Sequence, residues 1–459
     1  MISEIAVIGK SPYAAQLKVY PREVSGRFSQ LRIAAVIMLL GLFYALPWVR
    51  WNGRQAVLFD LPARKFFLFG LTLFPQDFYL LTWLLIIAAL SLFFFTALAG
   101  RLWCGFACPQ TVWTEVFLWM ERLTEGNRSQ QMKLDRASWT ANKLARKGAK
   151  QCLWVSFAAF TGFTFVGFFS SIHALAGEIA HAQLSAWEFF WMVFYAVATY
   201  GNAGFLREQV CKYMCPYARF QSAMFDRNTL VISYDATRGE PRGSRPRGEM
   251  SRPAGQGDCV DCTLCVQACP TGIDIREGLQ YECIACAACI DACDSVMDKV
   301  GSPRGLVRYS TQAEIEGRPR RLLRPRMLIY GAALSLLVGG FAYALSHRAA
   351  VDLDVLRDRN TLYRELDDGR IENVFSLRII NKDQHGHSFR MAARGLPHAQ
   401  IDSDTPEPYV GPEEVKTVVV RVRIPGGEAH GGQDFSIAAE SLDARHLTVT
   451  SRARFFAAP

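Results

Sequence analysis

The chain of 459 residues is 50% hydrophobic and 20% charged, which excludes a disordered, collagen-like or coiled-coil protein. Its formal net charge of +9 would suit nucleic acid, but the basic residues cluster beside apolar segments, as they do at a membrane surface. The 13 Cys are too few and too clustered for a disulfide-rich mini-protein of this length. We therefore expect a membrane protein with thiol chemistry and no nucleic-acid partner.

Five apolar stretches are long enough for the roughly 20 residues that cross a bilayer. They occupy residues 31–48, 78–99, 153–176, 187–206 and 327–345, and their central parts contain no Lys or Arg. The first 30 residues show no cleavable signal peptide, so the first span is interpreted as a signal anchor. Residues 66–74 are apolar but too short to span, which favours an interfacial or re-entrant segment.

The distribution of Lys and Arg among the loops predicts the side of the membrane that each loop occupies. Residues 1–30, 100–152 and 207–326 together contain 31 Lys and Arg, against four in residues 49–77 and 177–186. We therefore predict that the N-terminus and residues 207–326 are cytoplasmic. With five spans, the C-terminal region is then predicted to lie outside.

Two cysteine runs with the same spacing lie in the largest loop predicted to be cytoplasmic. Each run follows the pattern Cys-x2-Cys-x2-Cys-x3-Cys, which is typical of bacterial ferredoxins with [4Fe–4S] clusters. In such proteins the fourth Cys of each run ligates the other cluster. The spacing predicts one cluster held by Cys259, Cys262, Cys265 and Cys293, and a second held by Cys283, Cys286, Cys289 and Cys269.

Zinc and disulfide bonds are the alternatives for these eight Cys. Zinc sites use CxxC pairs with a longer spacer rather than runs of four, and disulfides are disfavoured in a reducing cytoplasm. The second run ends Cys293-Asp294, without the Pro that follows Cys269, and this change removes no sulfur. The basic stretches 237–257 and 318–326 are interpreted as a linker and as an anchor near anionic lipid.

Two further Cys pairs each follow a predicted span and precede a Pro. Cys104 and Cys108 form one CxxxCP motif, and Cys211 and Cys215 form another at an offset of 107 residues, which indicates an internal duplication. The spacing of four predicts both sulfurs of a pair on one helix face, about 5–6 Å apart at Cβ. The Pro predicts a kink or break directly after the second Cys. If the pairs face each other, their soft sulfurs select Cu(I), zinc or an iron–sulfur cluster.

Simple packing is the alternative for these four Cys, since a buried Cys behaves as a small hydrophobe. Two copies at equivalent places favour a metal or redox role. Met214 is interpreted as a packing residue and Cys152 as a structural one. His173 is the lone His within the predicted spans, so no haem ladder is predicted and the chemistry is expected on the cytoplasmic face.

The C-terminal region 347–459 alternates apolar and polar side chains in short runs. Examples are residues 374–380, 388–393, 417–424, 435–440 and 447–455, with turn signals at 381–383 and 425–427. This pattern predicts a β-sandwich of the immunoglobulin class without a disulfide. His385 and His387 have a spacing compatible with metal, but we interpret them as surface residues of a turn.

Taken with these motifs, the sequence resembles the CcoG/FixG/RdxA family of membrane polyferredoxins. The stretches GRLWCGFACPQT and YECIACAACIDACDSVMDK carry the resemblance, together with the fifth span and the outer β-domain. It implies an α-helical membrane protein with five spans, a cytoplasmic two-cluster ferredoxin-like insert and a C-terminal all-β immunoglobulin-like sandwich. The expected domains are a cytoplasmic segment 1–30, a four-span domain 31–230, a linker and ferredoxin-type domain 231–326, a fifth span 327–346 and a periplasmic β-domain 347–459.

The resemblance also implies a function. The family is implied to be an oxidoreductase of the bacterial inner membrane that reduces Cu(II) to Cu(I) in the cytoplasm for assembly of a cbb-class haem–copper cytochrome c oxidase. By residue-for-residue match, the eight ferredoxin Cys hold two [4Fe–4S] clusters, and Cys104, Cys108, Cys211 and Cys215 handle copper as substrate or bound ion. The implied partners are membrane lipid, a copper transporter or chaperone, oxidase assembly factors and an unidentified electron donor, with a homodimer left open.

Two other functions remain open from the sequence. A quinol-oxidising relay would pass electrons to a partner enzyme without any dependence on copper. A non-enzymatic assembly scaffold would bind a partner through its outer β-domain, with the clusters as structure or sensor. The sequence shows no evident quinol motif, which favours the copper reductase over the relay. This evidence is weak, because quinol sites leave little mark in a sequence.

Overall fold

A computed structural model of the protein describes residues 18–244, 255–358, 361–443 and 446–458. The chain divides into two compact units, of which the first extends to residue 63 and continues over residues 81–338. The second unit contains residues 64–80 and 339–459. The predicted N-terminal segment 1–30 and the predicted linker 237–257 fall partly outside the described residues.

Helices dominate the first unit, and their apolar faces and caps set their bounds. In chain order the helices are α1 (Arg27–Ala45), α2 (Phe78–Ala99), α3 (Leu102–Phe106), α4 (Pro109–Glu125), α5 (Arg128–Arg136), α6 (Ala141–Val166), α7 (Ile172–Ala180), α8 (Ala186–Thr199), α9 (Pro216–Met224), α10 (Ala236–Gly239), α11 (Leu264–Gln267), α12 (Ala288–Lys299), α13 (Gln312–Ile315) and α14 (Pro325–Ser346). Shorter 3-10 turns occupy Leu46–Trp48, Pro75–Asp77, Ile275–Glu277 and Gly426–Glu428, and π-helical turns occupy Tyr200–Leu206 and Val210–Met214.

Four helices of the described chain are long and apolar enough to cross a membrane. With their adjoining turns they cover Arg27–Trp48, Pro75–Ala99, Ala186–Leu206 and Pro325–Ser346, with mean hydropathies of 1.9, 2.4, 1.2 and 1.8. They coincide with the first, second, fourth and fifth predicted spans. Their length and apolar composition support a membrane association of the chain.

The predicted third span, residues 153–176, does not form one continuous helix. α6 begins earlier, at Ala141, and ends at Val166, and α7 begins only at Ile172. The first half of α6 is basic, and Lys150 is buried there because it pairs with Glu125 of α4 at 2.8 Å. Apolar patterning therefore located the second half of α6 and missed the first.

The eight ferredoxin Cys lie on two loops that precede short helices. One run leads into α11 and the other into α12. The strands β6 (Val231–Tyr234) and β7 (Val307–Ser310) pair in antiparallel fashion on either side of this segment in the chain. Apolar side chains of β6, β7 and α12 form a core with the two runs, which holds the loops in place.

The remaining strands lie before α2 and after α14. They are β1 (Arg50–Trp51), β2 (Arg54–Gln55), β3 (Val57–Asp60), β4 (Lys65–Leu68), β5 (Leu71–Leu73), β8 (Val351–Arg357), β9 (Arg364–Glu365), β10 (Arg370–Asn381), β11 (His387–Arg394), β12 (Gln400–Ser403), β13 (Tyr409–Val410), β14 (Val415–Pro425), β15 (Gly432–Ser441) and β16 (Thr448–Phe456). Strands β10, β11, β14, β15 and β16 coincide with the five predicted runs.

The C-terminal strands form two antiparallel sheets over one apolar core. One sheet has the order β12-β14-β10-β8, with β9 beside β10, and the other has the order β13-β11-β15-β16. The long central strand β10 pairs with β14 from Arg370↔Pro425 to Ile380↔Val415. Alternate residues of both sheets, including Phe375, Leu377 and Phe389, are fully buried in the shared core.

Two predictions for this second unit need comment. Within residues 66–74, β4 and β5 pair as an antiparallel hairpin, and the interfacial or re-entrant position of this segment stays a prediction. His387 is not a surface residue, since its side chain is 2% exposed and its ring lies between the carboxylates of Asp383 and Asp443. His385 is exposed, as predicted.

Candidate iron–sulfur and thiol site

Four of the eight ferredoxin Cys line one cavity in the first unit. This first cavity, of about 350 Å³, is bounded by apolar side chains that include Val296, Met297 and Leu306. The Cys residues that line it are Cys259, Cys262, Cys265 and Cys293. This set is the one that the crossed ferredoxin spacing assigns to a single cluster.

The other four Cys line a second cavity of about 320 Å³. Its walls are also largely apolar and include Ile232, Ile273 and Ile275. The predicted set of Cys269, Cys283, Cys286 and Cys289 lines it, and Cys265 forms part of the wall between the cavities. The structure thus brings each predicted set of four around its own cavity.

The two Cys loops share an unusual backbone conformation. Asp261 and Thr263 in the first run have φ values of 51° and 56°, and Ala285 and Ala287 at the matching positions of the second run have 54° and 60°. Left-handed residues at these positions turn the chain tightly, so that successive Cys side chains point to the same side. Small residues such as Ala285 and Ala287 suit this conformation where the loop is buried.

The chemistry of these thiols fits a metal cluster. Burial raises the pKa of Cys283 to about 12 and of Cys286 to about 11, so both thiols stay neutral unless a bound metal supplies positive charge. Within the described ranges, no group of three or more His, Cys, Asp or Glu side chains is arranged to hold a single metal ion. In each cavity, the four Cys suit a [4Fe–4S] cluster, which fills the space, better than they suit a single zinc ion.

The CxxxCP pairs do not lie on one helix face, contrary to the prediction from their spacing. Cys104 belongs to α3, which ends at Phe106, whereas Cys108 is extended and forms the N-cap of α4. Cys211 lies in a π-helical turn, and Cys215 is extended and forms the N-cap of α9. The Pro after each second Cys disfavours helical geometry at that Cys and starts the next helix instead.

The two pairs repeat one another in detail. In each copy the second Cys precedes a helix whose first residue is Pro109 or Pro216. Gly100 and Arg207, at the matched position before each pair, both have positive φ values of 57° and 37°. The internal duplication predicted from the sequence is therefore visible in the backbone.

The four CxxxCP thiols form one group in space. Burial and the neighbouring Cys108 raise the pKa of Cys104 to about 11, and burial with Cys108 and Cys104 raises that of Cys211 to about 12. Cys215 contributes to both shifts, so all four thiols lie within electrostatic reach of each other. Burial also raises the pKa of Cys108. The backbone N–H groups in the first turn of α4 counteract this rise, because a helix N-terminus stabilises a thiolate.

The thiol group lies directly against the second ferredoxin run. Cys104 and Cys211 pack on the cluster of side chains that includes Ile284, Cys286 and Ala288. A Cβ atom on Gly105 would lie 2.8 Å from the carbonyl oxygens of Ile284 and Ala285 and from Cα of Cys286. Only a glycine therefore allows the first CxxxCP motif to approach the loop this closely.

Two Arg side chains also contact the second run. Arg101, which is 4% exposed, donates hydrogen bonds from Nη1 to the carbonyls of Tyr281 and Cys283 and from Nη2 to that of Ala218. Arg32 of α1 donates from Nη1 to the carbonyl of Cys286 at 2.5 Å. These bonds tie the helical part of the unit to the ferredoxin loop.

A larger cavity, open to solvent, lies beside the same loop. Cys211 and Cys286 both line it, so it reaches the thiol group and the second cavity's ligand set at once. Residues of α1 and α4 supply much of its wall. Its charged lining residues are Arg22, Glu23, Arg32, Glu115, Arg122, Arg207 and Glu208.

Sequence reasoning missed Arg32, Arg101 and Gly105. Both Arg residues lie next to predicted spans, where the positive-inside rule already accounts for them. Gly105 lies inside the first CxxxCP motif, but the motif specifies only the Cys and Pro positions and leaves this residue free to vary. Arg101, at the end of a span, contacts a loop that lies about 180 residues later in the chain. Such a contact depends on the tertiary structure, and a local sequence pattern does not predict it.

Family models match three parts of the chain. A 4Fe–4S dicluster domain matches residues 206–312, a 4Fe–4S binding domain matches residues 81–125, and an IG-like fold at the C-terminus of FixG matches residues 341–458. The two iron–sulfur matches include all eight ferredoxin Cys and both CxxxCP motifs. They support iron–sulfur clusters as cofactors of this chain.

Curated relatives cover most of the chain. The proteins RdxB and RdxA of Cereibacter sphaeroides are each 41% identical over 83% of this chain and 83% of their own length. The nitrogen fixation protein FixG of Rhizobium meliloti is 35% identical over 93% of this chain and 90% of its length. A crystal structure of a FixG-related protein from Vibrio parahaemolyticus aligns with 23% of this chain and 95% of its own chain at 21% identity, with a TM-score of 0.21.

Relatives at 35–41% identity cover 83–93% of this chain. Iron–sulfur binding in such a setting indicates an oxidoreductase or electron-transfer protein. The chain is an iron–sulfur redox protein that belongs to the FixG/RdxA family.

Proposed function

We propose that this protein is a membrane-bound cupric reductase. It takes electrons through two [4Fe–4S] clusters and reduces Cu(II) to Cu(I) on the cytoplasmic side, for assembly of a cbb-class haem–copper cytochrome c oxidase. The supporting observation is the packing of Cys104 and Cys211 against Ile284 and Cys286. A soft thiol site next to a one-electron donor is what the reduction of copper requires.

The donor set explains why reduction is favoured at this place. Cu(II) prefers nitrogen and oxygen donors, whereas Cu(I) prefers soft sulfur ligands. A bound and reduced cluster supplies one electron, which matches the one-electron conversion of Cu(II) to Cu(I). The buried thiols of Cys104 and Cys211, with Cys108 and Cys215 at helix N-termini, then stabilise the Cu(I) product.

The membrane arrangement belongs to the same proposal. The apolar stretch 153–176, which forms the second half of α6 and leads into α7, is offered as the remaining span beside the four apolar helices. The excess of Lys and Arg in residues 100–152 and 207–326 supports a cytoplasmic ferredoxin segment and a periplasmic immunoglobulin-like sandwich. A copper transporter or chaperone and oxidase assembly factors are the proposed partners.

Copper reduction by pre-reduced protein tests the proposal. Anaerobic protein in lipid nanodiscs is reduced with dithionite, desalted and mixed with Cu(II), and Cu(I) is followed with a Cu(I)-selective chelator. The double variant Cys211→Ala/Cys215→Ala is expected to lose Cu(I) formation while it keeps the cluster absorbance. Cys152→Ala is the matched control, because this exposed Cys lies outside the thiol group and is expected to keep full activity. Activity that survives in the double variant would make the thiols bystanders.

The large cavity beside Cys211 and Cys286 favours a second candidate function, the quinol-oxidising relay. It combines apolar walls such as Leu118 and Trp119 with hydrogen-bonding groups such as Thr114 and Glu115, which suits a quinol headgroup. The relay predicts that a water-soluble quinol reduces the clusters and that added copper changes nothing. Cluster bleaching by quinol with no Cu(I) formation by the reduced protein would favour this function over the reductase.

A further inference from the structure

The two cluster cavities differ in the charges that surround them. The second run is contacted by Arg32 and Arg101, which donate to the carbonyls of Cys286 and Cys283. Arg101 donates to three main-chain carbonyls, and its Nε has no hydrogen-bond partner among the described residues. A carbonyl carries no net charge, so these bonds leave the full positive charge of the guanidinium beside the second cavity.

The Arg residue at the first cavity is compensated instead. Arg276 lines that cavity and pairs with Asp274 at 2.6 Å and with Asp261 at 2.5 Å. The two carboxylates therefore outweigh its single positive charge. Asp294 adds a further negative charge within electrostatic reach of Cys293.

A carboxylate also acts on the second cavity, but it is paired. Glu115 is within electrostatic reach of Cys286, and its Oε1 lies 3.3 Å from Nη2 of Arg122. Asp291, two residues after Cys289, is also buried, and its carboxylate accepts from the backbone N–H groups of Phe28 and Ser29. With Asp291 counted, the two Arg residues still leave the second run positive, whereas the carboxylates outnumber Arg276 at the first run. In a largely apolar and buried setting this difference is screened far less than on a surface.

Reduction of an iron–sulfur cluster adds one negative charge to it, and nearby positive charge stabilises that state. On this basis we propose that Arg101 and Arg32 are positioning residues that make the cluster held by Cys269, Cys283, Cys286 and Cys289 the higher-potential one. That cluster is then the exit toward the thiol group, and the cluster at the first cavity is the entry. The direction of electron flow rests on the proposed function, but the order of the two potentials does not.

Arg101 suits the exit in a second way. Its charge acts on Cys283 of the second run and on Cys104, Cys211 and Cys215 of the thiol group. One buried cation thus lies between the proposed donor and acceptor and favours negative charge on either side. The matched position of the other repeat is Glu208, so the duplication is asymmetric at this point.

A redox titration without copper tests the order of potentials. Full-length protein is titrated anaerobically, and the reduced clusters are followed by electron paramagnetic resonance. Two one-electron steps are expected, and Arg101→Gln and Arg32→Gln should each lower the upper midpoint potential and leave the lower one unchanged. Arg101→Lys keeps the charge and should restore the upper step. Arg304→Gln is the control, because this Arg is 68% exposed, is paired with Asp298 and should move neither step.

The proposal is overturned if the two Gln variants move the lower step, move both steps equally or move neither, or if the unchanged protein shows one unresolved step. If Arg101→Gln fails to retain iron, Arg32→Gln and Arg101→Lys still decide the matter. A normal two-step titration in protein that forms no Cu(I) would reject the copper reductase and leave the assigned order standing.

Discussion

The eight Cys of the ferredoxin runs and the four Cys of the CxxxCP motifs are held in different ways. Each ferredoxin set surrounds an apolar cavity of about 320–350 Å³, on loops fixed by left-handed residues. The CxxxCP thiols instead meet where two repeated helical segments converge, and Cys211 also lines a larger cavity that opens to solvent. The first arrangement surrounds a small cavity with four thiols, whereas the second borders a larger cavity with one of its thiols.

This difference suggests that the two sulfur regions have different occupants. Enclosed ligand sets with tight loops suit a resident cofactor that is inserted once and retained. A thiol group beside an open cavity suits an ion that enters, changes oxidation state and leaves. The contact at Gly105 and Arg101 joins the two regions, so variants can damage either one separately or the junction between them.

The largest effect is expected from loss of a resident ligand. Cys289→Ser removes one thiolate from the second cavity and should abolish the cluster there, because four thiolates are needed. Iron and sulfide per chain should fall by about half, from two clusters to one. Chemical analysis of anaerobically purified protein measures this loss.

The control for this change is Cys152→Ser, which alters an exposed Cys and should keep the full iron content. The same analysis includes zinc. Zinc in place of iron in the unchanged protein would contradict the interpretation of the enclosed sets as iron–sulfur sites.

The enclosed sets could be assigned from the sequence because their geometry is local. Spacings of two and three residues fix which sulfurs converge, and the companion rule alone is enough to place Cys269 and Cys293 in opposite sets. The strands of the C-terminal unit were also foreseeable, because alternation along residues such as Phe375 and Leu377 reports a buried face directly.

The open group could be only partly predicted. The repeat identified all four Cys, but helical spacing gave the wrong local geometry, since the Pro after Cys108 and Cys215 forces an extended conformation there. The start of α6 before the third predicted span was missed because Lys150 is buried there through a carboxylate on another helix. The burial of Lys150 depends on a partner from a distant segment of the chain. A local pattern of residues does not reveal such a partner.

A smaller effect is expected at the charge network behind the thiol group. Glu121 is 1% exposed, and it pairs with Arg207 at 2.8 Å and with Lys18 at 3.3 Å. Arg207 precedes the second CxxxCP motif, so this carboxylate supports the open region and not the enclosed one. Glu121→Gln leaves buried positive charge uncompensated and should lower the free energy of unfolding by about 3–5 kcal/mol. Iron content should remain at two clusters.

The pH dependence of this variant is a second readout. Burial alone would raise the pKa of Glu121, but Arg207, Lys18 and Lys150 outweigh it and hold the pKa below its usual range. The stabilisation is therefore fully present above the unfolded pKa of about 4.3 and is lost as the pH falls through the folded value. Thermal unfolding should show a large difference between variant and unchanged protein at pH 7 and a shrinking one below about pH 4. A difference that stays constant with pH would assign the effect to packing.

The smallest effect on stability is expected at the junction itself. Gly105→Ala places a Cβ 2.8 Å from three backbone atoms of residues 284–286, and backbone atoms cannot move aside as a flexible side chain can. The first CxxxCP motif and the ferredoxin loop must separate, which should cost about 1–3 kcal/mol of unfolding free energy. Because both sulfur regions stay intact, iron content should not change, while Cu(I) formation by pre-reduced protein should slow.

Gly148→Ala is the matched control for this last change. Gly148 lies in α6, and a Cβ there meets nothing within 4 Å, so Ala should stabilise the helix by up to about 1 kcal/mol. Stopped-flow measurement of Cu(I) formation should give the unchanged rate for Gly148→Ala and a lower one for Gly105→Ala. Equal rates in both variants would mean that electrons do not cross at the Gly105 contact, and the two sulfur regions would then have to be joined by another route.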